Sequence, residues 1–177
     1  TYGTQFFKGI QSQGVFACGK HFPGHGDTDT DSHSSLPTIN VDRETLYKNE
    51  IYPFKKAIED SIRMIMMGHL VVPALDPSYK PATHSYRIIT ELLKNELGFN
   101  GVVITDAMEM GALSKNISNE ESAIRAIEAG ADILLLPIDV HNAIKSISCW
   151  DNELFPGGIS PLAESGSVIL SYNSLIS

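Results

Sequence analysis

Short apolar runs alternate with amphipathic stretches along most of the chain. Four runs are almost entirely apolar, and each is followed by glycine, proline or polar residues: 15–19, 64–67, 102–104 and 133–136. Apolar runs without polar alternation are typical of strands buried on both faces of a parallel sheet. We therefore expect four strands, beginning near residues 15, 63, 102 and 132.

Amphipathic helices are predicted after these runs. Apolar residues recur at helical spacing in each of the longer stretches, as they do from Phe54 to Ile62. Residues suited to helix ends mark the boundaries: Pro53 in a first turn, Ser85 and Ser118 at N-caps, Gly98 and Gly130 at C-caps. A shorter helix is expected over 140–147. The order is strand then helix, four times, which makes four βα units.

Four βα units fit either a doubly wound sheet or part of a (β/α)₈ barrel. A dinucleotide-binding sheet would carry a glycine fingerprint between its first strand and a helix, whereas Gly24 and Gly26 lie in a long polar loop with no helix directly after them. This disfavours a dinucleotide-binding sheet and leaves the partial barrel as the second possibility. Because a complete barrel takes about 250 residues, 177 residues would hold only about its second half. The Pro-, Gly- and Ser-rich segment 149–177 breaks the rhythm, so we expect a partial barrel over 1–148 and an irregular tail.

Composition narrows the possible partners. A hydrophobic fraction of 42% is sufficient for a packed core, and two cysteines make no disulfide framework. The net charge of −8 argues against a surface for nucleic acid or anionic membranes, and every apolar run is far shorter than the roughly 20 residues of a membrane-spanning helix. The chain begins at Thr1 without a visible leader, so the sequence leaves the compartment open between cytoplasm and export.

Polar residues follow the predicted strands at the end where barrel enzymes carry their chemistry. Lys20 and His21 follow the first strand, His69 the second and Asp106 the third. Asp106 is interpreted either as a helix N-cap or as a carboxylate that acts as nucleophile or electrostatic stabiliser. His69 is interpreted as a substrate contact or as a hydrogen-bond donor that orients a loop.

The loop after the first strand is unusually rich in histidine and aspartate. Three of the six histidines and three aspartates lie between His21 and His33. The loop could be a solvated turn, or a metal site, although it lacks the HxH and HExxH patterns. It could also hold an acid/base pair, because Asp31 and His33 are two residues apart and would point the same way in an extended segment.

The residues of this loop resemble a known family. The stretch 20–33 reads K-H-F-P-G-H-G-D-T-D-T-D-S-H and is similar to the signature loop of family 3 glycoside hydrolases of the bacterial β-N-acetylglucosaminidase type. Further segments follow in the family's order, so that the similarity is continuous from about residue 14 to 147: 36–37, 50–54, 68–76, 81–83 and 101–108.

The resemblance implies a (β/α)₈ barrel, a carbohydrate substrate and a retaining glycosidase without metal or organic cofactor. Asp106 matches the catalytic nucleophile, His33 the general acid/base and Asp31 its dyad partner. Lys20 and His21 match residues that hydrogen-bond sugar hydroxyls, and His69 is grouped with them as a substrate-binding candidate. Retention needs an anionic nucleophile and a proton donor, and histidine, with a pKa near 6.5, suits proton exchange at neutral pH.

The expected activity is removal of terminal N-acetylglucosamine from cell-wall fragments or related glycosides. Family barrels begin with strands that this chain lacks, including a segment with an arginine that binds sugar, so the sheet would have bare edges. We therefore expect either self-association or a missing N-terminal half. The alternatives are an inactive fragment, or a family member with β-glucosidase or phosphorylase activity.

Overall fold

A computed structural model describes residues 2–26, 36–110, 113, 117–137, 139, 141–143 and 145, together with the backbone of two strands nearer the C-terminus. The elements follow in this order: helix α1 (Tyr2–Gln11), strand β1 (Cys18–Phe22), α2 (Arg43–Lys48), α3 (Ile51–Glu59), β2 (Met64–Met67), a 3₁₀ turn (Ala82–His84), a π-helix (Arg87–Glu96), β3 (Val102–Thr105), α4 (Asn119–Ala129), β4 (Ile133–Leu135), β5 (Ile159–Glu164) and β6 (Ser167–Tyr172).

One sheet contains all six strands, in the order β1-β2-β3-β4-β6-β5. The first four strands are parallel and adjacent in chain order, as Met64 paired with Val102 and Ile104 paired with Ile133 illustrate. Helical segments connect these strands, which is the arrangement of a partial α/β barrel. The prediction of four parallel strands connected by helical segments is confirmed, while the short helix expected over 140–147 lies partly outside the described residues.

The helix ends follow the capping signals in the sequence. The Ser118 hydroxyl accepts a hydrogen bond from the Glu121 N–H (3.2 Å), and Gly130 closes α4 with φ at 110°. The Ser85 hydroxyl likewise accepts from the Ile88 N–H at the start of the π-helix (3.2 Å). Gly98 follows that helix with φ at 71°, a backbone conformation that suits glycine. In the described part of the chain, no helix is long and apolar enough to span a membrane.

The two faces of the parallel sheet are not equally covered. In β2, Ile65 and Met67 are buried, whereas Met64 and Met66 are half-buried, and β3 and β4 alternate in the same way. Ile65 belongs to a core cluster with the π-helix residues Ile89 and Leu93. The expectation of strands fully buried on both faces is therefore wrong for the described residues. Helices cover one face, and the other is the face that a complete barrel would enclose.

Two boundaries differ from the sequence prediction. Strand β1 begins at Cys18 and continues through the fully buried Phe22, so Lys20 and His21 lie within the strand and not after it. The tail, expected to be irregular, contains β5 and β6, which pair antiparallel with each other, and β6 pairs with β4. The β-branched and aromatic residues of 167–172 favour a strand, and the neighbouring prolines and glycines masked that signal.

Candidate active site

The C-terminal ends of β1, β2 and β3 bring three predicted site residues to one edge of the sheet. His21 lies near the end of β1, His69 comes two residues after β2, and Asp106 directly follows β3. Since neighbouring parallel strands end at the same edge, residues far apart in sequence become neighbours here. This edge carries the candidate active site.

Asp106 is held by its own backbone and by two neighbours. Its N–H donates to the carbonyl of Met67 (3.0 Å), which extends the pairing of β3 with β2. Its Oδ1 accepts a hydrogen bond from the Ala107 N–H (2.9 Å), and its Oδ2 lies 3.4 Å from the Nε2 of His21. Residues 107–110 form a turn and not a helix, so the N-cap interpretation of Asp106 is wrong. The side chain is 23% exposed, which leaves the carboxylate accessible.

His21 faces Asp106 with a ring that favours the neutral form. Burial lowers the pKa of His21, the negative charge of Asp106 opposes that effect, and the neighbouring Lys20 and His25 add to the lowering. The His25 ring packs edge-on against it, with ring centroids 5.9 Å apart. A neutral imidazole can donate one hydrogen bond and accept another, which suits contact with a sugar hydroxyl or with the carboxylate.

An open cavity of about 740 Å³ lies beside β1. Its polar lining residues include Lys20, His21, His25 and Glu50, while Asp106 does not line it. Gly24, with φ at 134°, approaches the Glu50 side chain so closely that a Cβ there would lie 2.5 Å from the carboxylate oxygen. Glycine is therefore required where this loop leaves β1 and passes over α3.

His69 is buried among protein groups, with 3% of its surface exposed. Its Nδ1 lies 2.8 Å from the Thr83 hydroxyl, and its Nε2 lies 3.0 Å from the carbonyl oxygen of Ala107. Burial lowers the pKa of His69, although the Ala107 carbonyl and the charge of Asp106 oppose this. Contact of His69 with a substrate stays a prediction, and it would require one of these hydrogen bonds to open.

The predicted acid/base pair belongs to the loop that follows β1 in the sequence. Asp31 and His33 belong to 27–35, which lies outside the described residues. Among the residues that the structure does describe, no group of three His, Cys, Asp or Glu side chains could hold a metal ion.

Sequence reasoning missed Thr83 and the peptide groups of Ala107. Thr83 is fully buried and lies in the 3₁₀ turn, between the Gly68 carbonyl and the His69 ring. Both residues are part of segments that match the family in order, but a buried threonine and an alanine carry no chemical signal of their own. Only their contacts show that they touch the site.

Parallel strands connected by helices, with a carboxylate and histidines at their C-terminal ends, are typical of α/β-barrel enzymes. Residues 1–150 match the glycosyl hydrolase family 3 N-terminal domain. β-Hexosaminidase A of Pseudoalteromonas piscicida is 41% identical over 146 residues, which are 76% of this chain and 24% of that protein.

Solved structures give the same result. A family 3 β-N-acetylglucosaminidase from Paenibacillus sp. strain FPU-7 superimposes with a TM-score of 0.79 at 44% identity, covering 82% of this chain and 28% of the other. The β-N-acetylglucosaminidase from Thermotoga maritima gives 0.76 at 33% identity, covering 85% and 33%. This chain belongs to glycosyl hydrolase family 3, which confirms the resemblance seen in the sequence. It spans about a quarter to two fifths of the length of the curated relatives it matches.

Proposed function

We propose that this chain carries the catalytic residues of a retaining exo-β-N-acetylglucosaminidase, which releases terminal β-linked N-acetylglucosamine from cell-wall-derived or related glycosides. The observation that carries the proposal is the Asp106 carboxylate, partly exposed at the end of β3 and oriented by the Ala107 N–H. Relatives named β-hexosaminidase and β-N-acetylglucosaminidase support the substrate class.

In the proposed mechanism, an oxygen of Asp106 attacks the anomeric carbon while His33 gives its proton to the leaving glycosidic oxygen. The bond to the leaving group breaks, and the sugar is held as an ester of Asp106. His33, now neutral, removes a proton from water, which attacks the same carbon and frees the carboxylate. Asp31 orients His33 and stabilises its charged form. The two substitutions at the anomeric carbon together retain its configuration.

Lys20 and His21 are proposed to bind sugar hydroxyls. Lys20 is exposed, and the ring of His21 is within reach of both the cavity and Asp106. A neutral ring that donates to the carboxylate through Nε2 and accepts from a sugar hydroxyl at Nδ1 would hold the anomeric carbon close to the carboxylate, and such positioning accelerates substitution. His69, predicted either to contact the substrate or to orient a loop, is buried and bonded to Thr83 and Ala107, which favours the second role.

A second candidate is that the chain is inactive without further barrel elements, supplied by an N-terminal half or by self-association. Among the described residues, β1 pairs only with β2, so its outer edge is open. The half-buried face of the sheet supports the same idea, because a closed barrel would cover it.

The test is release of 4-nitrophenol from its β-N-acetylglucosaminide by this chain, beside the variant Asp106→Asn. The proposal expects turnover that Asp106→Asn lowers by at least about 10³-fold, because an amide is a poor nucleophile. Turnover equal in both would exclude Asp106 as the nucleophile. No turnover at any protein concentration would reject activity for the chain alone, and turnover that rises steeply with protein concentration would support self-association.

Product analysis with and without phosphate separates hydrolysis from phosphorolysis.

A further inference from the structure

Three hydrogen bonds, connected through the backbone of Ala107, lead from a buried threonine to the proposed nucleophile. The series begins at Thr83, passes through the His69 ring to the carbonyl of Ala107, and continues from the Ala107 N–H to Asp106. We infer that His69 is a positioning residue, supported by Thr83, which holds the Ala107 segment so that its N–H fixes the orientation of the Asp106 carboxylate. The inference rests on the proposed function, since it gives Asp106 the role of nucleophile.

The acceptor at one end determines which tautomer His69 adopts. A carbonyl oxygen only accepts hydrogen bonds, so the 3.0 Å contact between Nε2 and the Ala107 oxygen requires a proton on Nε2. In the neutral ring, Nδ1 is then an acceptor, and the Thr83 hydroxyl lies 2.8 Å from it. That hydroxyl also lies 3.1 Å from the Gly68 carbonyl, but its single proton can serve only one of the two acceptors. The shorter distance favours Nδ1.

The charged form of His69 would satisfy both ends, since Nδ1 would donate to Thr83 and Thr83 to Gly68. Burial disfavours the charged form of His69. Of the groups that face the ring, the Asp106 carboxylate favours the charged form, and a protonated His21 disfavours it. His84, the neighbour of Thr83, is also buried, and its pKa is lowered first by burial and then by positive charge on His69. The neutral ring with a proton on Nε2 is therefore the working state at neutral pH.

The consequence for Asp106 is geometric. Its Oδ1 is bonded to the Ala107 N–H at 2.9 Å, and the Ala107 residue is in turn held at its carbonyl by His69. Without the His69 donor, the Ala107 carbonyl would keep the 3.1 Å bond from the Met110 N–H within the turn, and the next residue would keep the 2.8 Å bond from the Met108 N–H to the Leu135 carbonyl. The turn that carries the carboxylate would then be connected to the β2 side only at its first residue, through the 3.0 Å bond from the Asp106 N–H to the Met67 carbonyl, as far as the described residues show. Small errors in the position of a nucleophile lower the rate steeply, by up to about 10²-fold for 1 Å.

The test compares two substitutions at His69, of which one keeps a hydrogen-bond donor and the other does not. Gln can place an amide N–H near the former Nε2, whereas Leu has a similar volume and no donor. We expect His69→Leu to lower kcat about 10- to 100-fold with KM within about twofold of wild type, and His69→Gln to recover most of kcat. A rise in KM with unchanged kcat would instead make His69 a substrate contact. Equal loss in both variants would overturn the role of the donor.

A measurement that does not depend on turnover separates this inference from the proposed function. Hydrogen exchange of the Ala107 amide, followed by NMR, reports its bond to Asp106 directly. We expect exchange at least about tenfold faster in His69→Leu than in wild type or His69→Gln, and a ¹⁵N spectrum of wild-type His69 with the proton on Nε2. Unchanged Ala107 exchange in His69→Leu, or a proton on Nδ1 in wild type, would overturn the inference even if the enzyme is active. If wild type shows no turnover, the exchange result alone decides.

Discussion

The contact between His21 and Asp106 shows how surroundings set the chemistry of single residues. Their polar atoms lie 3.4 Å apart, close enough for a charged hydrogen bond if the ring were protonated. Burial lowers the pKa of His21, so the ring is neutral at pH 7 and does not neutralise the carboxylate. A neutral ring has one donor and one acceptor nitrogen, which is what the proposed contact of His21 with a sugar hydroxyl requires.

At the same scale, the proposed acid/base residue predicts a dependence on the leaving group. In an active protein, His33→Ala should lower kcat/KM about 10²- to 10⁴-fold for substrates whose leaving alkoxide needs a proton, and much less for 4-nitrophenyl glycosides. The reason is that 4-nitrophenolate is stable enough to leave unprotonated. Rates for the two kinds of substrate in the same variant provide the comparison. Equal losses for both would count against His33 as the acid.

At the scale of elements, each parallel strand has a covered and a half-covered face. Ile65 is fully buried under the helices, and its neighbour Met66 points the other way and is half-buried. The same alternation in β3 and β4 shows that the helices protect one face only. The stability of the described sheet therefore depends mainly on the helix-covered face.

This difference predicts unequal costs for two truncations in the same strand. Ile65→Ala should lower the free energy of unfolding by about 2 to 5 kcal/mol, whereas Met66→Ala should cost less than half as much. The physical reason is that Met66 loses less buried area and leaves no closed cavity. Urea unfolding of both variants beside wild type, at two protein concentrations, measures this. A Met66 cost that matches Ile65 would show that a further segment or a second copy covers the open face in solution.

At the scale of the whole molecule, a buried histidine connects two separate apolar clusters. His84, in the 3₁₀ turn, is 5% exposed, and its Nε2 lies 3.0 Å from the hydroxyl of Ser122 in α4. Ser122 lies beside the smaller cluster that contains Ala126 and Leu134, while Ala82 of the turn belongs to the larger one. Burial lowers the pKa of His84 to about 3, so the link consists of a neutral imidazole.

The buried His84 predicts acid sensitivity of the fold. Above about pH 6.5, His84 is neutral in both the folded and the unfolded state, so it does not change the free energy of unfolding with pH. Below that pH, His84 binds a proton in the unfolded state, whereas in the folded state it stays neutral down to about pH 3. The free energy of unfolding should fall by roughly 1.4 kcal/mol per pH unit from this residue alone. Urea unfolding between pH 7 and 4.5 should show a shallower slope in His84→Gln.

The control for this prediction is His141→Gln, because His141 is exposed in the described structure. Its slope should equal that of wild type. His21 and His69 also have a lowered pKa, so a residual slope of the same sign should remain in His84→Gln. If His84→Gln keeps the full slope of wild type, His84 is not the residue that binds the proton on unfolding.

Local patterns were sufficient to predict much of this molecule. The four apolar runs predicted the parallel strands, and Ser118 and Gly130 predicted the ends of α4. The position of Asp106 after its strand predicted the candidate site. Each of these signals depends on residues within a few positions of one another, such as side-chain periodicity or a cap that bonds its own helix. The start of β1 and the strands of the tail were missed, because pairing with a neighbouring strand decides where a strand begins.

Contacts between distant segments decided the rest. The register in which β1, β2 and β3 align places His21 next to Asp106. The same register buries His69 and brings it to Ala107, 38 residues away in the sequence. Sequence spacing carries no information about that register, since it depends on how the side chains of several elements pack together. The residue types at the site are therefore a property of the chain, while their protonation, partners and orientation are properties of the folded sheet.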